Sequence, residues 1–352
     1  MKTVHVGIIG TGSISAYHME GYLRLEGVKV VAVCDCNLQR AEKFAQKYGV
    51  PHVFDDYKEL LKLDEIQAVS ITTWNNYHAQ ISIDSLSAGK DVLCEKPIAM
   101  NAEEAKQMIE AAQKTGHLLM VGFVRRFGQN TKIVKDFIDK GILGDIYYAK
   151  ISYMRRWGNP GGWFSDQSRS GGGPVIDLGV HIIDLVWYLS GKPRASSVYA
   201  STFHKLGLRP ELKGIAKYNS SDYSEYNDVE DCAAAMIKFE NGMTVFFETS
   251  WVLNVKEDVV QLQLFGDKAG VQMEPVFELY ETKENYMVNT LPVLTQDDNS
   301  FVNNFNEEIQ HFVDCVREKK DSMNPGEDGL RIMEIISAIY ESARTGHEVL
   351  IK

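Results

Sequence analysis

Asp177 and His181 stand four residues apart, a spacing that puts both side chains on one face of a helix, with Asp184 three positions further along. An imidazole accepts a proton near neutral pH, and a carboxylate beside it orients the ring and stabilises the imidazolium. That chemistry suits a carbinol, because a hydroxyl proton needs an acceptor when hydride leaves the carbon. The run Gly171 to Gly173 just ahead lets the backbone come close to something at the helix entry. The competing reading is a buried histidine capped by an aspartate. A second reactive group is Lys96 in Glu95-Lys96-Pro97, where Pro97 fixes the backbone as the chain leaves a strand. Its ammonium could hydrogen-bond both a bound ribose and a substrate oxygen, or it could simply pair with Glu95 at the surface.

A third segment, Gly10-Thr11-Gly12-Ser13-Ile14-Ser15, follows the apolar run Val4 to Ile9. There Gly10 permits a tight turn and Gly12 lets a pyrophosphate approach backbone N–H groups at a helix N-terminus. Ser15 holds the place of a third glycine and is small enough for close helix–strand packing. Asp35 lies 25 residues beyond Gly10, near the offset at which an acid meets the adenosine ribose. Such a carboxylate repels a 2′-phosphate, so NAD is favoured, while Arg40 leaves NADP open; Asp35 could also be an ordinary turn residue.

These groups need a scaffold. Val4 to Ile9, Val28 to Cys34, Ala68 to Thr72, Asp91 to Cys94 and Leu118 to Phe123 read as buried strands, alternating with helical patterns at Leu38 to Tyr48, Tyr77 to Ala88 and Ala102 to Thr115. The last is capped by Asn101 with Glu104 and closed by Gly116. This is a doubly wound parallel α/β sheet of the Rossmann type over residues 1–123, with the ligand crevice outside the carboxyl ends of the strands. From about residue 124 to 352, runs at Asp145 to Arg155, Ser196 to Phe203, Cys232 to Phe239, Thr244 to Trp251, Val259 to Phe265 and Gly270 to Met273 predict a mainly antiparallel sheet. Glu240-Asn241-Gly242 forms a hairpin within it. Phe301 to Glu318 and Glu327 to Thr345 read as terminal helices, candidates to pack back on the first domain. Leu206 to Val229 reads as a long polar arm.

A formal charge of −11 argues against nucleic acid or an anionic membrane as the main partner. Five scattered cysteines, Cys34, Cys36, Cys94, Cys232 and Cys315, lack metal-ligand spacing and are expected to be reduced; no metal is expected. Without a long apolar run or a leader-like N-terminus, the protein is expected in the cytoplasm.

Together these residues resemble the glucose-fructose oxidoreductase, inositol dehydrogenase and rhizopine-catabolism (Gfo/Idh/MocA) family of NAD(P)-dependent oxidoreductases. The resemblance covers nearly the whole chain: the glycine loop, Thr73 with Asn75 and His78, the run Gly89 to Pro97, Val121-Gly122-Phe123 with Arg126-Phe127, and the glycine-rich approach to Asp177 and His181. It implies that Lys96 is the active-site lysine, His181 the proton acceptor and Asp177 its polarising or substrate-binding partner. It further implies that Gly10, Thr11, Gly12, Ser13, Ile14, Asp35, Thr73, Asn75, His78, Glu95, Lys96 and Arg126 serve the cofactor. A homodimer or homotetramer through the C-terminal sheet is implied as well. Trp74 departs from the proline usual before the asparagine.

The expected activity is oxidation of a secondary alcohol of a sugar, glycoside or cyclitol by NAD or NADP. The alternatives are a redox-neutral glycosidase or lyase on a retained NAD, and a non-catalytic cofactor-dependent regulator. Arg155, Arg156, Trp157, Asn159, Trp163 and Phe164 precede the glycine run, with Arg156, Trp157 and Trp163 the candidate sugar contacts; the tryptophans could equally pack a loop on the sheet. His204 and the arm could close the site or bridge subunits.

Overall fold

A computed structural model describes residues 3–212, 218–293 and 300–351. The chain divides into two units, Met1–Phe127 with Ser300–Met333 and Gly128–Asn299 with Glu334–Lys352. In the first unit the apolar runs form β1 (Val4–Ile9), β2 (Val28–Cys34), β3 (His52–Phe54), β4 (Ala68–Ile71), β5 (Asp91–Glu95) and β6 (Leu119–Gly122). All pair in parallel, in the order β3-β2-β1-β4-β5-β6. Strand order reverses between β1 and β4, and a doubly wound sheet takes its ligand outside the strand ends at that point. Gly10 leaves β1 there and Thr72 to Trp74 leave β4.

The helices of this half are α1 (Ser13–Leu23), α2 (Leu38–Tyr48), α3 (Tyr57–Leu61), α4 (Asn75–Ser87) and α5 (Ala102–Thr115). Helix α5 starts as its sequence predicts: the Asn101 side chain accepts from Glu104 N at 2.9 Å, and the Glu104 carboxylate accepts from Met100 N at 3.0 Å. Helix α1 is different, because its N-cap is Gly12 and no side chain caps it.

In the second unit, α6 (Gln129–Asp139), β7 (Ile146–Met154), α7 (Gln167–Ser170), α8 (Val180–Leu189) and β8 (Ala195–Phe203) precede a run of strands. These are β9 (Cys232–Phe239), β10 (Thr244–Ser250), β11 (Val259–Gly266), β12 (Ala269–Glu274), β13 (Glu278–Lys283) and β14 (Tyr286–Thr290). The chain ends with α9 (Phe301–Glu318), α10 (Gly326–Thr345) and β15 (Val349–Leu350). The second sheet runs β14-β13-β12-β11-β7-β10-β9-β8-β15. Its described pairings are antiparallel except β7 with β10, so the mainly antiparallel sheet expected from the sequence is the one that forms. Glu240 to Gly242 make the tight link from β9 to β10. Helix α9 belongs with α1: a Cβ on Gly21 would lie 2.9 Å from Ile309, and Tyr17 stacks on Phe305 at 5.1 Å between centroids.

One expectation is corrected on length and composition. Gln167–Leu189 is apolar and long enough to cross a membrane, but 83% of its most apolar window is buried inside the fold, as in a core helix.

Candidate active site

The glycine loop is built by close approach. Gly10 has φ +95°, and a Cβ there would lie 2.6 Å from the Thr72 carbonyl oxygen, so β1 and β4 can be this near only with glycine. At Gly12 a Cβ would meet nothing within 4 Å. Its absence therefore leaves open space over the uncapped start of α1, where Ser13 is exposed and Ile14 half-buried. Thr11 faces inward instead: its N–H and its hydroxyl both donate to Asp35 Oδ2 at 2.9 Å. Asp35 also accepts from Asn37 N at 2.9 Å, from Arg40 Nε at 2.9 Å and from Arg40 Nη2 at 2.6 Å. Burial works against the Asp35 carboxylate, but the Arg40 fork and the Asn37 and Thr11 N–H groups outweigh it and hold its pKa below the ordinary value.

Lys96 follows β5, and of residues 92–99 it alone is not buried. Its backbone N–H donates to Glu95 Oε2 at 3.2 Å. Behind Glu95 lies a relay that sequence reasoning missed. His18 Nε2 meets Glu95 Oε1 at 2.8 Å, His18 Nδ1 meets Ser70 Oγ at 3.1 Å, and Ser70 Oγ meets Tyr22 Oη at 2.7 Å. With a neutral ring, one hydrogen assignment satisfies every contact: Tyr22 donates to Ser70, Ser70 to His18, and His18 to Glu95. Burial pushes the Tyr22 phenol well above its ordinary value.

Two candidate cofactor residues contact neighbouring loops. His78 is buried with Nδ1 2.7 Å from the Pro97 oxygen and Nε2 3.2 Å from the Thr73 oxygen. Burial lowers its pKa despite those carbonyls, and a neutral ring, with a single N–H, donates to only one of them, the Pro97 oxygen being the nearer. Arg126 is buried too, and its Nη1 donates to Met323 O at 2.8 Å and Asp328 Oδ2 at 2.6 Å while the guanidinium covers the Phe123 ring. It fastens the start of α10. Thr73 and Trp74 are half-buried, and Asn75 is the buried first residue of α4.

In the second unit, Asp177 lies in a π-helical turn, Val175–Gly179, that runs directly into α8. Such turns recur at functional sites because the extra residue re-aims side chains. Of residues 172–187, only Asp177 and His181 are not buried. A helix otherwise sunk in the core thus exposes a carboxylate and an imidazole, while Asp184 is buried and does not extend that accessible face. His181 Nδ1 is buried. The fully buried Trp251 donates its indole N–H to Asp177 Oδ2 at 3.1 Å. Glu230 accepts from Gly173 N at 2.9 Å, Val175 N at 3.0 Å and the Tyr340 hydroxyl at 3.0 Å. The glycine run is tight here, since a Cβ on Gly173 would lie 2.3 Å from the Glu230 carbonyl oxygen.

The loop before the glycine run packs on the arm. Trp157 donates to Leu208 O at 3.3 Å, Ser220 N to Pro160 O at 3.0 Å, and Arg169 Nη1 to Asp222 Oδ2 at 2.7 Å. Residues 213–217 of the arm lie outside the described residues. Asn159 is buried as a loop brace, accepting from Gly161 N and the Ser165 hydroxyl. Arg156 is exposed and donates to Lys256 O at 2.9 Å. Half-buried Trp163 lies against Phe164 at 3.9 Å between centroids, and Phe164 meets Trp251 edge-on at 6.4 Å. His204 is exposed at the end of β8.

The family model described as the oxidoreductase family, NAD-binding Rossmann fold, matches residues 4–123, and its C-terminal alpha/beta domain matches residues 135–351. The chain belongs to the Gfo/Idh/MocA oxidoreductase family. The D-glucoside 3-dehydrogenase of Escherichia coli (strain K12) is 33% identical over 349 residues, 98% of this chain and 97% of that protein. The scyllo-inositol 2-dehydrogenase (NAD(+)) of Bacillus subtilis (strain 168) is 27% identical over 348 residues, 98% and 96% of the two chains. A levoglucosan dehydrogenase solved with NADH and L-sorbose superposes with a TM-score of 0.87 at 22% identity over 100% of both chains, a likeness of fold. This Gfo/Idh/MocA protein is an NAD-dependent dehydrogenase of CH–OH groups.

The residues present fit NAD: the space left by Gly12 and the uncapped N–H groups of α1 are what a pyrophosphate needs. What sequence reasoning missed in this family member are the residues that hold its candidate functional groups, namely His18, Ser70, Tyr22, Glu230, Tyr340 and Trp251. Their partners lie 48 to 110 residues away along the chain. Local spacing carries no signal for such pairs.

Proposed function

We propose that this enzyme oxidises a ring secondary alcohol of a sugar, with D-glucosides the first class to test and cyclitols the second. The observation that carries this reading is the selective exposure of three groups, Lys96 on an otherwise buried turn and Asp177 with His181 on an otherwise buried helix. NAD, held over Gly10 to Ile14, supplies the hydride acceptor. Lys96 donates a hydrogen bond to the substrate oxygen that loses its proton and favours the developing alkoxide electrostatically. His181 takes that proton. Asp177, held by Trp251, orients the sugar and stabilises the imidazolium. Trp163 offers an aromatic face to the C–H face of the ring. The 33% identity over 98% of the chain to a D-glucoside 3-dehydrogenase supports glucosides and their C3 hydroxyl.

The test is nicotinamide absorbance with purified protein, NAD or NADP, and a panel of glucosides, aldoses, inositols and sugar acids. Reduced cofactor should grow with a glucoside and vanish in Lys96→Ala, with the melting temperature retained. Turnover undiminished in Lys96→Ala would sink the assignment. We also propose that a second copy of the chain covers the open face of the larger sheet, and that the enzyme works in the cytoplasm, which its five unbridged cysteines favour.

A further inference from the structure

Asp35 follows β2 with its carboxylate 3% exposed, and its hydrogen-bonding capacity is full. Thr11 N, Thr11 Oγ1 and Arg40 Nε converge on Oδ2, while Arg40 Nη2 and Asn37 N converge on Oδ1. A carboxylate offers about four lone-pair sites, so five donors leave no acceptor in reserve for a ribose hydroxyl. Something must yield when a dinucleotide arrives. The Thr11 and Asn37 N–H groups belong to the glycine loop and to the turn that caps α2, where the Asn37 side chain accepts from Arg40 N at 3.1 Å. They cannot leave without undoing those turns. Arg40 is anchored at its backbone in the first turn of α2, and its side chain is one-third exposed. The Thr11 hydroxyl sits on a buried residue, so the guanidinium is the solvent-accessible part that can move.

The electrostatics follow from the same pair. A bare carboxylate at this place would repel a 2′-phosphate, the usual reason that an acid here selects NAD. Here the acid is neutralised by a forked guanidinium at 2.6 Å, and that planar fork is the side chain best matched to a phosphate. An arriving 2′-hydroxyl can take the place of one arm of the fork on Asp35. An arriving 2′-phosphate meets the guanidinium instead, which turns from Asp35 while Thr11 and Asn37 keep the carboxylate satisfied. We propose that Arg40 sets cofactor choice in this protein, and that the Asp35–Arg40 pair admits NADP(H) alongside NAD(H). This rests on the reading that the adenosine ribose sits at Asp35.

Fluorescence titration of the purified full chain with NADH and with NADPH tests it without any substrate. The wild type should bind NADPH with a Kd within tenfold of that for NADH. In Arg40→Gln, which leaves Asp35 its three donors from Thr11 and Asn37, the ratio of the NADPH Kd to the NADH Kd should rise at least tenfold. Arg40→Lys, which keeps the charge but loses the fork, should fall between the two. A wild type that binds NADH but excludes NADPH, or a ratio that Arg40→Gln leaves unmoved, overturns the proposal alone. Failure of the wild type to bind either cofactor overturns the underlying reading of the glycine loop and Asp35.

Discussion

The indole N–H of Trp251 reaches Asp177 Oδ2 at 3.1 Å from a cluster that includes Leu178, Val229 and Val252, with Trp157 and Phe164 against it. Trp251→Phe keeps most of that apolar contact and removes the donor. Losing one hydrogen bond to a charged group costs roughly 1.5–3 kcal/mol. We expect kcat on the substrate found by the panel to fall at least tenfold, with a much smaller change in the KM for NAD; an unchanged kcat would show that Asp177 does not depend on the indole. Glu230, at the entry of the same helix, carries a pH signature. Burial is the largest influence and raises its carboxyl pKa, although the Val175 and Gly173 N–H groups pull the other way. A raised folded-state pKa means a contribution to stability that is complete below the unfolded value, about 4.3, and lost as pH rises through the folded value. The melting temperature of the wild type should therefore fall, relative to Glu230→Gln, as pH climbs above about 4.3. A difference between the two proteins that is flat with pH would contradict this. Lys96, Asp177 and His181 were legible as chemistry because reactive types stood at meaningful spacings. Trp251 and Glu230 were not, since an isolated tryptophan or glutamate in a strand-rich region has no pattern.

Helix α1 does two tasks, and only the first was visible in the sequence. Its N-terminus follows the glycine loop, while His18, one turn on, braces Glu95 beneath the Lys96 turn. Replacing His18 by Leu would leave a buried carboxylate short of its donor, a loss of about 1–3 kcal/mol or more. His18→Gln keeps an N–H in reach of Glu95. Thermal unfolding should show a drop of several degrees for His18→Leu and substantial recovery in His18→Gln; equal losses in both would mean that ring packing, not the hydrogen bond, is what matters. The parallel strands β1, β2, β4, β5 and β6 were found to within about a residue or two because burial on both faces makes them continuously apolar. Strand β3 and helix α3 escaped because three and five residues are too few to display a period. The π turn escaped for another reason. Asp177 and His181 obey helical spacing whether or not one turn is widened, and the tight packing of Gly179 on Phe247, 2.8 Å from a would-be Cβ, comes from a strand far along the chain.

At the scale of the whole molecule, the larger sheet poses a problem of its own. Its inner face buries Val245, Phe247, Ala235 and Ile237, and its other face carries Tyr199, Met236 and Phe246 in one row, each directly across from the next on β8, β9 and β10. Their exposures are 52%, 43% and 41%. Further along the same row the neighbours become Lys150, Gln263 and Gln272. An apolar patch bordered by polar residues on a broad sheet marks an association surface, and a twofold axis is the commonest way to close one. The occupant we propose is a second copy of the chain. Net charge does not select it, since two chains of −11 repel at long range, but the patch itself is uncharged and repulsion over such distances is screened by physiological salt. Light scattering should therefore give the wild type a mass that is a multiple of 39.7 kDa. Phe246→Glu puts a carboxylate in the middle of the row and, around a twofold axis, confronts it with its own copy, so this variant should run at 39.7 kDa while still binding NADH. Should it precipitate, Met236→Lys gives the same readout one strand away. A wild type that scatters as a single chain would leave the row exposed in solution and remove the second copy from the argument.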